Sequence, residues 1–155
     1  MLGIAIALAS EVHKNQKDKG GKPYILHPLR ILYRLSSYCN DDDTLCCAVM
    51  HDIVEDGSIT FAQLKEMGFN DEVIKTMKLL THGPGISYEE YIENMRSNKS
   101  ALMIKREDLR DNSDITRMKG VTEKDLARLV KYNLAFKRIE GWLNEYRVSE
   151  VLRSN

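Results

Sequence analysis

Long hydrophobic runs are missing from this 155-residue chain. No apolar stretch approaches the roughly 20 residues that a membrane-spanning helix needs, so no membrane partner is expected. The apolar start, MLGIAIALASEV, is short and has no basic leading region, and it reads as a first core helix rather than a signal peptide. Net charge is absent too: 23 basic and 23 acidic side chains cancel, which removes the general electrostatic case for binding nucleic acid or a membrane surface. Cysteine is scarce. Cys39, Cys46 and Cys47 are odd in number and lack zinc-type spacing, and they read as reduced thiols in or near the core of a cytoplasmic protein. There are only three prolines, and β-branched alternation is nearly absent, which argues against a sheet. No glycine-rich phosphate loop occurs, so phosphoryl donation from a nucleotide is not expected.

What is present is helical periodicity with clear punctuation. The pattern predicts an all-α fold, a single helical bundle of about eight helices, with length enough for one core. A first helix is expected from about Leu2 to Lys17, broken by KGGKP. A second follows Pro28 and ends near Ser37. Asp41 to Asp43 can cap a third, which is expected to run on to about Gly57. Thr60-x-x-Gln63 and Ser87-x-x-Glu90 are capping-box patterns. Asn70 caps a helix reaching about Leu80, and another helix starts near Ser100. Thr122 opens a long final helix with Leu126, Leu129, Val130, Leu134, Ile139 and Leu143 at helical spacing. That helix could pack internally or pair with another chain, so a homodimer is a possible assembly.

The chemistry concentrates in CCAVMHDIVEDGSIT. If this segment is helical, His51 and Glu55 are four apart, as are Asp52 and Asp56, and all four lie on one broad face. Burying that much negative charge without a partner is costly, and a divalent cation with water and a phosphorylated substrate is the economical explanation. One helix cannot supply the full ligand set. His27, in PYILHPLR, and Asp108, in ALMIKREDLRDNSD, supply the rest, with Asn112 one turn beyond Asp108. The expected metal site is therefore His27, His51, Asp52 and Asp108, drawn from three helices. Such mixed ligands admit Mn(II), Fe(II), Ni(II), Co(II) or Zn(II).

In order and spacing these blocks resemble the HD phosphohydrolase superfamily, and more narrowly the hydrolase domain of the RelA/SpoT alarmone enzymes and the stand-alone, Mesh-type small alarmone hydrolases. The resemblance runs from about His13 to Tyr132 and rests on HKNQKDKGGKPYILHP, HDIVED with Thr60, and DLRDN. It implies that residues 1–155 form one HD-type metal-dependent phosphohydrolase domain, with a single ion, Mn2+, at the four ligands and with Glu55 and Asp56 positioning or activating the attacking water. The implied reaction is hydrolysis of ppGpp and pppGpp to GDP or GTP and pyrophosphate. At this length, the synthetase half of the long alarmone enzymes is not expected within these residues. Alternatives are a phosphatase on another nucleotide, such as the 2′-phosphate of NADPH, and a non-catalytic nucleotide-binding domain.

Substrate contacts are expected from Lys19, Lys105, Asn112, Arg128 and Tyr132. Arg128 and Tyr132 are four apart, a spacing shared with related small alarmone hydrolases near the bound nucleotide. Lys19 and Arg128 suit terminal phosphates. The chain departs from the family at three positions: Asp18 stands where an arginine is usual, Glu107 replaces an alanine, and Ile115 replaces a threonine. His82 could be a fifth metal residue, but it reads better as a histidine at a helix C-terminus. Gly83-Pro84-Gly85 reads as a turn, Tyr88 and Tyr91 as packing residues, His13 as structural, and Trp142 as packing under the final helix.

Overall fold

The computed structural model describes residues 1–55 and 59–153. Its helices are α1 (Leu2–Val12), α2 (Leu26–Ser36), α3 (Asp42–Met50), α4 (Phe61–Glu66), α5 (Asp71–Leu80), α6 (Tyr88–Asn94), α7 (Lys99–Asn112) and α8 (Glu123–Arg153), with one 3₁₀ turn, Ile115–Arg117, before α8. Among the described residues there is no strand, so the expected all-α fold is the observed one.

The helix starts follow local chemistry. The Asp41 side chain accepts the Thr44 N–H at 2.9 Å, and Asn70 accepts that of Val73 at 2.9 Å. Thr60 with Gln63 and Ser87 with Glu90 close full capping boxes. Asn98 accepts the Ala101 N–H at 2.8 Å, which opens α7 just ahead of the expected Ser100. Each such cap stabilises its helix by about 1 kcal/mol.

Helix α3 is the axle. Every residue from Thr44 to Met50 is buried, and α1, α2, α5 and α7 pack around it. Ala5 and Ala9 on α1 are fully buried, and small side chains there let two backbones approach closely. Helix α8 lies on α7 through Ala135, Ile139, Trp142 and Leu143. Leu126, Val130 and Leu134, read from sequence as part of one apolar row, are exposed instead. Val130 and Ile139 are nine residues apart, which at 3.6 residues per turn puts them on opposite faces.

Three boundaries differ from the sequence expectation. Helix α1 stops at Val12 rather than near Lys17. Beyond it the Asp18 carboxylate accepts the Lys22 N–H at 2.9 Å and the Asp18 N–H reaches the Lys22 carbonyl at 2.8 Å, a side-chain-closed loop that competes with helix. Gly21 takes φ +82°, which only glycine adopts without strain. Helix α2 begins at Leu26, before Pro28, which sits in the first turn where a missing N–H costs nothing. Helix α3 ends at Met50, not near Gly57. The His51 ring bonds the Ala48 carbonyl through Nδ1 at 2.9 Å and occupies the acceptor that the Asp52 N–H would need to continue the helix. His51 to Glu55 therefore form turns, and their shared position does not come from one regular helical face.

Candidate metal centre

His27 is presented by the first turn of α2, His51 by the end of α3, and Asp108 by the buried side of α7. Their ligand atoms all lie within 4.8 Å of one another, and all three residues are buried. His27 Nε2 is 3.2 Å from Asp108 Oδ1 and 3.7 Å from Asp52 Oδ2. His51 Nε2 is 3.1 Å from Asp52 Oδ2 and 3.7 Å from Asp108 Oδ1. One Asp52 oxygen thus lies near both imidazoles, and Tyr24 Oη donates to that same oxygen.

The hydrogen bonds on the far sides of the rings fix which nitrogens face inward. His27 Nδ1 lies 2.7 Å from Asp111 Oδ2, and His51 Nδ1 lies 2.9 Å from the Ala48 carbonyl. Both outer partners are acceptors, so each Nδ1 carries a proton and donates it, leaving Nε2 to face the carboxylates. Among the described residues, the buried His51 Nε2 has no hydrogen-bond partner. Two inward imidazole nitrogens and two carboxylates form a donor set that fits a borderline divalent ion.

The electrostatics agree. Burial by itself lowers the pKa of His27 and His51, but Asp108 and Asp111 around His27, and Asp52 and Asp108 around His51, outweigh it and raise both. Burial pushes the Asp108 carboxyl up, whereas Lys105, His27 and His51 bring it well below the usual carboxylate range. A metal ion at this centre would compete with protons for the two inward imidazole nitrogens.

Asp108 is braced from its own helix. Asn112 Nδ2 donates to its Oδ1 at 2.6 Å, as the spacing of four implied, and Lys105 Nζ donates to its Oδ2 at 2.7 Å. Lys105 is expected from sequence to touch substrate. Its ammonium is paired with Asp108, 5.1 Å from the Tyr91 ring centroid, and is largely covered.

A cleft of about 220 Å³ opens beside His27, and Lys19, Asn112, Arg128 and Tyr132 line it together with Arg117. Lys19 and Arg128 meet at Asp125, at 3.4 and 2.8 Å, and the Arg128 guanidinium sits 5.9 Å from the Tyr132 ring centroid. Four of the five expected substrate residues therefore share one cleft wall. Glu55 is exposed, and its Oε1 accepts the His82 N–H at 2.5 Å. Asp56 lies outside the described residues. His82 is not part of the metal-competent group among the described residues; its Nε2 meets the Ile86 carbonyl at 2.8 Å and its ring stacks on Tyr91 at 4.6 Å.

Sequence reasoning missed Tyr24, Asp111 and Arg117. Tyr24 stands three residues before His27 in the PYILHP block. Asp111 stands three residues after Asp108, on the same face of α7. Asp18, the departure from the family pattern, binds Arg117 Nη2 at 3.2 Å across the cleft.

The HD domain family matches residues 5–111, a stretch that contains His27, His51, Asp52, Glu55 and Asp108. The chain belongs to this HD domain family. The match stops short of Arg128 and Tyr132. Similar proteins include the guanosine-3′,5′-bis(diphosphate) 3′-pyrophosphohydrolase of Aquifex aeolicus, 38% identical over 93 residues, covering 59% of this chain and 13% of that protein. The bifunctional (p)ppGpp synthase/hydrolase SpoT of Escherichia coli K12 is 32% identical over 63 residues, covering 41% of this chain and 9% of that protein. The chain thus spans a small fraction of these longer relatives. A solved structure described as a metazoan ortholog of SpoT that hydrolyzes ppGpp superposes with a TM-score of 0.76 at 22% identity, covering 93% of this chain and 92% of that one, and establishes the shared all-α HD fold.

Proposed function

We propose that this HD domain is a metal-dependent pyrophosphohydrolase of guanosine alarmones, releasing pyrophosphate from ppGpp or pppGpp and leaving GDP or GTP. The observation that carries the reading is the convergence of His27 and His51 Nε2 on Asp52 and Asp108, with both Nδ1 atoms committed to outer acceptors. The relatives named as guanosine-3′,5′-bis(diphosphate) 3′-pyrophosphohydrolases support the choice of substrate.

His27, His51, Asp52 and Asp108 would hold one divalent ion, with Mn2+ the proposed metal. Such an ion makes water a better nucleophile near neutral pH and offsets charge on a phosphoryl oxygen. Glu55, tethered by the His82 N–H, would accept the proton of the attacking water on its carboxylate, and Asp56 would share that task. Lys19 and Arg128 would meet phosphate oxygens from the cleft wall. Asn112, already bonded to Asp108, would orient that carboxylate and the sugar by neutral hydrogen bonds. Tyr132 would supply an aromatic face beside Arg128. The domain would work in the cytoplasm as a small-molecule enzyme, and the exposed row of Leu126, Val130 and Leu134 would be the surface available to a second copy in a homodimer.

A second reading keeps the site and changes the substrate to another phosphorylated nucleotide such as NADPH. It is favoured by Asp18, which places a carboxylate at the cleft where the family resemblance implies an arginine. Manganese-supplemented hydrolysis of ppGpp, with products resolved by chromatography and Asp108→Ala as control, separates the two. GDP and pyrophosphate, lost in the control, are the expected products. Absence of turnover in manganese-loaded protein that cleaves NADPH would overturn the alarmone reading.

A further inference from the structure

Asp111 is fully buried, yet the metal set does not use it. Its carboxylate collects charge from across the fold. Arg30 on α2 donates through Nε to Oδ1 at 2.8 Å and through Nη2 to Oδ2 at 2.9 Å. Arg34, one turn further along α2, reaches Oδ1 at 3.0 Å. Arg117, from the 3₁₀ turn, donates through Nη1 to Oδ2 and to the Asp111 carbonyl. On the same Oδ2 sits His27 Nδ1.

We propose that Asp111 is a positioning residue for the metal centre: it holds the His27 ring with Nδ1–H turned outward and Nε2 aimed at Asp108 and Asp52. The inference rests on the metal reading of that centre. Three guanidinium groups from two elements pin the carboxylate in place and leave it no freedom to rotate away from the ring. A carboxylate has no donor, so the shared proton belongs to His27 Nδ1. An imidazole so held is oriented and made a stronger ligand, which is how outer partners tune metal affinity. The arrangement also gives Asp18 a task. Its carboxylate holds the other arm of Arg117 at 3.2 Å and so braces the residue that braces Asp111.

The test is manganese binding to the full chain by titration calorimetry, beside thermal melting, for the wild type, Asp111→Asn and Asn70→Ala. Asp111→Asn is expected to weaken manganese binding by about 10–100-fold. Asn70→Ala removes the side chain that caps α5, outside the Asp111 cluster, and is expected to keep wild-type affinity whatever it does to the melting temperature. Equal affinity in Asp111→Asn and the wild type overturns the inference while leaving the metal centre intact, and so does equal weakening by both variants. A wild type that takes up no manganese sinks the metal reading and this inference with it. Should Asp111→Asn fail to fold, the wild type loaded with diamagnetic Zn2+ decides through its imidazole 15N shifts. His27 ligated through Nε2 with a protonated Nδ1 is the expected state, and ligation through Nδ1 overturns the proposal.

Discussion

The Glu55 carboxylate accepts the backbone N–H of His82 at 2.5 Å, tying the turn after α3 to the loop after α5. This tether lies on the chain just beyond two metal-competent residues, and it leaves the second carboxylate oxygen for another task. Glu55→Gln keeps an oxygen for the His82 N–H but removes the base. Turnover of ppGpp is expected to fall by about 10²–10⁴-fold, the usual contribution of a general base, with little change in melting temperature. Unchanged turnover would leave Glu55 as a structural tether and assign proton transfer to Asp56.

Lys105 and Asp108 form a nearly buried ion pair at 2.7 Å, with side chains 13% and 6% exposed. Removing one partner of such a pair strands the other charge. Lys105→Met is expected to destabilise the metal-free protein by about 3–5 kcal/mol, read from urea unfolding. Manganese should recover part of that loss, because a cation on Asp108 takes over the work of the ammonium. A loss below about 1 kcal/mol would mean that water reaches and screens the pair.

Local chemistry made much of this fold legible. Asp41, Thr60, Asn70 and Ser87 each cap a helix through an atom three residues away, and the Asp108–Asn112 bond spans one turn. Such contacts are written in sequence spacing. The end of α3 was not legible, because nothing in HDIVED announces that the His51 ring will take the Ala48 carbonyl. The approach of His51 to Asp52 and Asp108 therefore arises from a broken helix and a tertiary contact rather than from the periodicity that pointed to it. Asp111 was hidden for a similar reason. Its partners Arg30 and Arg34 come from α2, more than 70 residues earlier, and only packing brings them to α7.

Metal loading should be visible as stability. A ligand that binds only the folded state at a hundredfold excess over its dissociation constant stabilises by about 2.7 kcal/mol. For a domain of this size that corresponds to a rise of about 5–10 °C in melting temperature on adding manganese, reversed by a chelator. Asp108→Ala removes the ligand shared by both histidines and should abolish the rise. A rise that survives in Asp108→Ala would place the ion elsewhere.

The pH dependence follows from the same residues. Burial lowers the pKa of His27 and His51, but the surrounding carboxylates raise both above the ordinary 6.5. A folded-state pKa above the unfolded one gives stability that is complete below 6.5 and is lost as pH rises through the raised value. Asp108 runs the other way: its folded pKa lies well below 3.8, so its contribution is present above 3.8 and fades only as pH falls towards the depressed value. The metal-free protein should therefore melt at progressively lower temperature as pH is raised from about 6.5 through the raised histidine values. Manganese must displace those protons, so its affinity and the melting increment it confers should both grow over the same interval. Calorimetry in buffers of different ionisation enthalpy would count the protons released. An increment that is flat with pH, with no proton release, would show that the two imidazoles are already neutral in the metal-free fold.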